Sequence, residues 1–318
     1  MPAENPAGTP VVGPGTPYIT PDTLTAAPTG ISWSTIPQRA ATAEQQYAEL
    51  LNLCNRSTAI IDQFCNQPLR ATVDTEDFTG PGDFRVQNQP TGVTRILASR
   101  SPVTTIVSGQ VSNSASFPRS WQTIPANQFE AEKPLIGVYG TSAPGASGGG
   151  GQGILLAPGW VTWLFGRLSS RLQVTYINGW PHAGLTATAA VGATSLTVDD
   201  ITGWTGAAGM IYDSGGVQEF ISCTTITPAT TGAISGPGTL TLASALVYPH
   251  SKGTVVSSLP ASVQQAAIYL CVSQALTRGA TATAIQNVSG GSVGGGAAQS
   301  EQYQKMGLAL VTPYRRVM

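Results

Sequence analysis

Residues 37–69 read PQRAATAEQQYAELLNLCNRSTAIIDQFCNQPL, and this stretch carries the strongest periodic pattern in the chain. Its apolar positions recur at intervals of three and four residues, which is typical of the buried side of an amphipathic helix. Pro68 cannot continue a helix. The pattern therefore predicts a long amphipathic helix over residues 38–66, with the apolar positions Tyr47, Leu50, Leu51, Cys54, Thr58, Ile61 and Cys65.

Two more helical patterns lie near the end of the chain. The helical pattern at residues 260–278 follows Ser258, a possible cap, and begins with Pro260, which the first turn of a helix tolerates. We expect this helix to pack on the first one through a core that contains Leu50, Leu51, Ile61, Val263 and Leu270. The glycine-rich residues 289–300 then precede a third pattern, SEQYQKMGLALV, with Tyr303, Met306 and Leu310 on one face.

Between these helices the sequence consists of short runs of β-branched residues, separated by clusters of turn-forming residues. Residues 69–176 predict a small β element, with a helical turn at GWVTWLFGRL. Residues 185–256 predict a self-contained block of five or six strands, in which DSGG is a hairpin turn.

The predicted fold class is thus α+β. A small helical core of two long helices and a C-terminal helix accompanies a strand cluster and an inserted β-barrel or sandwich. We expect four parts: an extended arm (1–37), a core (38–184 and 257–288), the inserted β domain (185–256), and a tether with a C-terminal helix and tail (289–318).

Composition limits the function. Charged residues make up 10% of the 318 residues, against a usual share of about a quarter. With a net charge of -1, the surface is poorly suited to attract nucleic acid or anionic membranes. The N-terminus lacks a secretory signal pattern. Such a surface suits a protein that is largely covered by other copies or partners.

The sequence contains no recognisable catalytic set, cofactor motif or metal site. His182 and His250 stand near the two ends of the β block, and hydrogen-bonded histidines are favoured over a zinc site there. Asp199 and Asp200 follow a predicted strand, where capping a turn is favoured over calcium binding. Ser147 lies in a G-x-S-x-G match within a glycine run, which lacks the strand and helix of a nucleophile elbow.

Cysteines and tryptophans fit structural roles better than chemical ones. Cys54 and Cys65 lie on one helix face but about 16 Å apart along its axis, too far for a disulfide or a shared metal. All four cysteines are therefore expected to be buried free thiols. The six tryptophans are scattered among apolar neighbours, which favours core or interface anchors over a sugar-binding platform.

The order of these parts resembles the head-to-tail adaptor (connector) proteins of long-tailed bacteriophages. The resemblance rests on YITPDTL, the long helix, RILASRSPVTTIVSG, RLQVTYINGW, LPASVQQAAIYLCVSQALTRG and the terminal PYRR, taken in that order. The β block looks like an accessory domain that some of these proteins carry.

This resemblance implies a structural protein of the virion neck and no enzymatic reaction. It implies a ring, commonly of twelve copies, that is made in the host cytoplasm and sits beneath the portal protein. The ring would contact a tail-side stopper or tail terminator and continue the DNA channel without reading sequence, and no membrane would be involved.

The resemblance also implies a role for the C-terminal tail. In such adaptors this segment leaves the subunit body and docks on the portal, so it is expected to lack structure in the free protein. The residues expected to dock are Tyr303, Met306, Leu310, Val311, Tyr314, Arg315 and Arg316. Two alternatives stay open: a virion-surface or secreted carbohydrate-binding β module, and a serine hydrolase that uses Ser147.

Overall fold

The computed structural model describes residues 15–33, 42–79, 86–88, 93–112, 120–125, 129–132, 135–139, 171–213, 217–278 and 296–316. These residues belong to two compact units. One unit contains Thr72–Gly179, and the other contains the described parts of Val12–Ala71 and Trp180–Met318. The chain passes from one unit to the other shortly after the long helix and again after the eighth strand. The four-part division expected from the sequence stays a prediction.

The first unit consists of antiparallel strands in two four-stranded sheets. One sheet has the order β1-β8-β4-β5 and the other β2-β3-β7-β6. Apolar residues from both sheets, including Phe78, Ile96, Ile136 and Leu172, share one buried cluster. The strands are β1 (Thr72–Thr79), β2 (Val86–Asn88), β3 (Val93–Leu97), β4 (Val103–Ser112), β5 (Gln122–Ile124), β6 (Phe129–Glu132), β7 (Leu135–Tyr139) and β8 (Arg171–Asn178).

Helices form one part of the second unit. They are α1 (Pro21–Ala26), α2 (Ala43–Cys65), α3 (Ala261–Thr277), α4 (Gly296–Val311) and a final 3-10 turn, Thr312–Tyr314. Thr42 caps the start of α2 through its side chain, and Asn66 ends it in the left-handed conformation with φ 56°. The helix predicted over residues 38–66 is confirmed with an N-terminus a few residues later.

The buried stripe of α2 differs from the predicted one. Leu50 and Ile61 are buried as expected, as are Val263 and Leu270 on α3. Leu51 is only half-buried, although it was assigned to the core, and the periodic position Tyr47 is 45% exposed. Leu53 lies fully buried instead. The centre of the stripe runs through Thr58, which the pattern included, and through the polar residue Ser57, which it did not.

Part of the N-terminal arm packs into the helical cluster. Tyr18, Ile19 and Leu24 are buried there together with residues of α2, α3 and α4. The Tyr18 backbone N–H donates to Thr58 Oγ1 over 3.0 Å, and the Tyr18 hydroxyl accepts the Leu69 N–H over 2.8 Å. The described residues 15–33 are therefore a component of the core, in contrast to the extended arm expected from the sequence.

A six-stranded antiparallel sheet forms the other part of the second unit. Its order is β10-β13-β12-β11-β14-β9. The first and last strands also meet, because Leu185, directly after β9, forms a bridge with Val198 of β10. The buried side contains Trp204 and Leu240. The strands are β9 (His182–Gly184), β10 (Ser195–Val198), β11 (Ala208–Tyr212), β12 (Gln218–Pro228), β13 (Gly238–Leu242) and β14 (Val255–Ser257).

The expected fold class is confirmed at the level of helices combined with antiparallel β-sheets. The turn expected at DSGG lies largely outside the described residues, which show that β11 and β12 pair antiparallel with Tyr212 opposite Gln218. The helical turn expected at GWVTWLFGRL and the glycine run before it lie outside the described residues.

Candidate partner-binding segment at the C-terminus

Helix α4 packs closely against α3 through small residues. A Cβ atom placed on Gly307 would lie 3.1 Å from the Ala266 carbonyl oxygen and 3.2 Å from Leu270 Cγ. Two turns away along α4, the buried hydroxyls of Ser300 and Ser273 lie 3.0 Å apart. These contacts bring the two helix backbones close together, which only small side chains permit.

Larger side chains of α4 complete this contact. The Tyr303 and Tyr269 rings lie 5.8 Å apart, measured between their centroids. Val311 is fully buried, and its carbonyl oxygen lies 3.7 Å from Cys65 Sγ. Leu310 is half-buried against the same helical cluster. Three of the predicted docking residues, Tyr303, Leu310 and Val311, thus pack against the chain itself.

Tyr314 is the anchor of the final turn. Its ring meets the Trp180 ring edge to face at a centroid distance of 5.3 Å. Its hydroxyl lies 3.0 Å from Ser262 Oγ, and its carbonyl oxygen accepts a hydrogen bond from Gln67 Nε2 over 3.1 Å. Tyr314 therefore connects the segment just after α2, helix α3 and the segment just before β9.

The two arginines behave differently from each other. The Arg316 backbone N–H donates to the Cys65 carbonyl oxygen over 2.9 Å, which satisfies one of the free carbonyls at the C-terminal end of α2. The Arg315 guanidinium lies 5.3 Å from the centroid of the Phe64 ring, within the range of a cation–π contact. Arg315 remains exposed, and the Arg316 side chain is half-buried.

The expectation that this tail lacks structure in the free chain differs from what the structure shows. Residues 296–316 pack on α2 and α3, because α3 is apolar on almost every side and needs a second helix to cover it. The surface that α4 leaves open contains Met306, which is 39% exposed, and the ion pair of Lys305 with Glu301 at 2.7 Å. Met306 and Arg315 are the predicted docking residues that remain most accessible.

The prediction of buried free thiols is confirmed, since all four cysteines are free and buried. A hydrogen bond with the Cys271 thiol, together with burial, raises the pKa of Cys54. Burial raises the pKa of Cys65 to about 11. A thiol with a raised pKa holds little thiolate at neutral pH, so these two groups are poor nucleophiles.

Each histidine is buried and hydrogen-bonded, as expected. His182 Nδ1 lies 2.8 Å from Ser257 Oγ, and Nε2 lies 3.0 Å from the Pro17 carbonyl oxygen. Burial lowers the pKa of His182 to about 4. His250 lies between Asp213 and Glu219, a pairing that sequence spacing did not reveal. Among the described residues, no group of three or more acidic, histidine or cysteine side chains is arranged to hold a metal ion.

Asp199 and Asp200, which follow β10, accept hydrogen bonds from different parts of the second unit. Asp199 Oδ1 accepts the Gly184 N–H over 2.7 Å, and its Oδ2 accepts the Thr16 hydroxyl over 2.5 Å. Asp200 Oδ1 accepts the backbone N–H of Thr202 over 3.0 Å and that of Gly236 over 3.1 Å. The turn capping favoured from the sequence is confirmed for Asp200, whereas Asp199 binds two segments that are distant in sequence.

Tryptophans of the described regions do not form an exposed platform. Trp33 and Trp204 are buried, while Trp121 and Trp180 are half-buried. The remaining two, Trp160 and Trp163, lie outside the described residues, as does Ser147.

Comparison with family models, curated proteins and solved structures found no match to this chain. Within the part of the chain that the structure describes, no helix is long and apolar enough to span a bilayer.

Proposed function

We propose that this protein is a head-to-tail adaptor of a bacteriophage neck, a structural subunit that joins the capsid to the tail. The observation that carries the proposal is the order of its parts. A long helix, a strand cluster, a β block, a second helix and a C-terminal helix with a PYRR end follow one another as in the adaptors that the sequence resembles. In this proposal α2 and α3 form the subunit core, and the six-stranded sheet is an inserted accessory domain.

Low charge supports this assignment. A subunit enclosed by neighbouring copies, a portal above and a tail protein below has little surface that must face water. A charged fraction of 10% suits such a position. The proposed partners are therefore other copies of the chain in a ring, commonly of twelve, the portal protein, and a tail-side stopper or terminator. DNA would pass through the ring without sequence recognition.

The accessible part of the C-terminal segment is the proposed portal contact. Arg315 is exposed beside Phe64, and Met306 is exposed on α4. Arginine and apolar anchors are common in the centres of protein interfaces. Deleting residues 301–318, by contrast, would uncover α3 in the free protein and would not separate docking from folding.

Two measurements test this proposal. Light scattering after size exclusion should show a ring-sized oligomer, or a monomer that becomes ring-sized when it joins portal-bearing capsids. Fractionation of the virions should place the protein with the neck. A monomer that binds neither capsids nor virions, but is retained on immobilised glycans, would refute the adaptor function and favour the carbohydrate-binding module.

A point substitution tests the contact itself. We expect Arg315→Glu to weaken attachment to portal-bearing capsids, because it reverses an exposed charge at the proposed contact. The matched control is Lys305→Glu, which reverses an exposed charge on α4. Circular dichroism should show that both variants are folded. Equal attachment by the two variants would contradict the role of Arg315.

A further inference from the structure

The imidazole of His250 lies between two carboxylates inside the second unit. Its Nδ1 is 3.0 Å from Asp213 Oδ2, and its Nε2 is 2.9 Å from Glu219 Oε2. The His250 side chain is completely buried, and the two carboxylates are 8% and 9% exposed. The sequence pattern does not reveal this cluster, because its three residues are far apart in the chain. Asp213 directly follows β11, Glu219 belongs to β12, and His250 lies in the loop before β14.

Proton counting defines the state of this cluster. An ionised carboxylate can only accept a hydrogen bond, so each nitrogen–oxygen contact needs one proton of its own. Two contacts therefore need two protons. If one proton is lost, a nitrogen lone pair and a carboxylate oxygen face each other in a buried site, where unpaired polar groups are costly.

Both carboxylates also accept hydrogen bonds from other groups, and these bonds favour the imidazole as the carrier of both protons. Glu219 accepts the backbone N–H groups of Val247 over 2.6 Å and Tyr248 over 3.2 Å. Asp213 accepts the Ser251 N–H over 3.2 Å and the Thr254 hydroxyl over 3.2 Å. Hydrogen bonds of this kind stabilise the ionised form of a carboxyl group. The geometry of the cluster therefore suits an imidazole that donates to two carboxylates.

The same hydrogen bonds attach a loop to the sheet. Residues 243–254 connect β13 to β14, and four of them donate to Asp213 or Glu219. Val247 and Tyr248 are 64% and 48% exposed, so the cluster fixes the backbone of two apolar side chains that point into solvent. In the described residues, the acidic groups facing His250 are Asp213 and Glu219, while Lys252 of the same loop is exposed.

We propose that Asp213, His250 and Glu219 form a pH-sensitive latch, which holds the loop 243–254 against β11 and β12 while the cluster carries two protons. Raising the pH transfers one of these protons to hydroxide, and the loop then loses its attachment. This latch is independent of the adaptor function proposed above.

The acidic limit of the latch follows from Glu219. Burial acts to raise its pKa, but the N–H groups of Val247 and Tyr248 and the His250 ring together lower it below the usual glutamate value. A carboxyl group with a lowered pKa stabilises the fold above its ordinary pKa, and this contribution disappears as the pH falls through the lowered value. The latch is therefore closed between this acidic limit and the loss of the ring proton.

The chain has only two histidines, so the imidazole signals in an NMR spectrum of the full protein are easily assigned. We expect protons on both ring nitrogens of His250 near neutral pH. When the pH is raised and one proton is lost, the amide protection factors of Val247 and Tyr248 should fall about tenfold or more with the same midpoint. A neutral His250 ring at pH 6, or protection that stays constant through its titration, would overturn the latch.

Variants provide a second test. In Glu219→Gln the side-chain amide can donate as well as accept, so a neutral imidazole is satisfied and the pH dependence of protection should disappear. The control Lys252→Gln removes one charge from the same loop outside the cluster and should behave as the wild type. Wild-type dependence in Glu219→Gln, or its loss in Lys252→Gln, would contradict the proposal. If Glu219→Gln fails to fold, the wild-type titration decides alone.

Discussion

Replacing Gly307 by valine tests whether the C-terminal helix packs on the protein itself in solution. The first added carbon would lie 3.1 Å from the Ala266 carbonyl oxygen and 3.2 Å from Leu270 Cγ. The first of these neighbours is backbone and cannot move aside by rotating. The two further methyl groups of valine enlarge the clash, and they can be accommodated only if α4 moves away from α3.

The expected change in the free energy of unfolding is the sum of a packing cost and a gain in helix propensity. Overfilling a packed contact costs about 1–3 kcal/mol. A glycine-to-valine change in a helix regains a few tenths of a kcal/mol of helix propensity. The net destabilisation of Gly307→Val should therefore be about 1–3 kcal/mol. For Gly307→Ala the regained propensity, about 1 kcal/mol, should nearly cancel the smaller strain.

Urea unfolding followed by circular dichroism measures these differences, and Ala309→Val is the matched control. Ala309 is exposed on the same helix, so this change should cost only about 0.5 kcal/mol of propensity. If the tail were unstructured in the free protein, Gly307→Val would leave the midpoint unchanged or raise it slightly. Equal midpoints for Gly307→Val and Ala309→Val would refute the packing of α4 on α3.

Three further changes test other parts of the second unit. Tyr18→Phe removes the acceptor of the buried Leu69 N–H and should cost about 1–3 kcal/mol in urea unfolding, whereas the exposed Tyr47→Phe should be neutral. The lowered pKa of His182, about 4, means that only the unfolded chain gains this proton as the pH falls from about 6.5. Stability should thus drop by about 3 kcal/mol towards pH 4, and His182→Gln should lack this component. Leu270→Asp buries an unpaired charge and should cost several kcal/mol of stability, measured by thermal unfolding. A soluble variant that unfolds at the wild-type temperature would contradict the place of Leu270 in the core.

Local patterns in the sequence were enough to predict the main elements. The period of α2 and the proline after it predicted residues 38–66, and the helix runs from Ala43 to Cys65. The second helix was predicted over residues 260–278 and is Ala261–Thr277. Caps, prolines and a period of about 3.6 residues act over a few neighbours, so they can be recognised without knowing the fold.

Sites were predictable where a single residue type has one common role. Buried free thiols, hydrogen-bonded histidines and a turn-capping Asp200 were expected from the sequence, and the structure agrees. In each case the chemistry of the side chain demands a partner or burial, whichever partner the fold supplies. Neither the partners of His250 nor those of Tyr18 could be read in this way.

Only the tertiary structure decided which surfaces meet. The tail residues Tyr303 and Val311 were assigned to an external partner, but they cover α3 of the same chain. The arm residue Tyr18 joined the core through Thr58 and Leu69, which lie 40 and 51 residues away in sequence. An apolar stripe specifies that a face must be buried but carries no information about what buries it, because hydrophobic attraction is not directional. The choice is made by shape and close packing across long sequence separations, and these exist only in the folded chain.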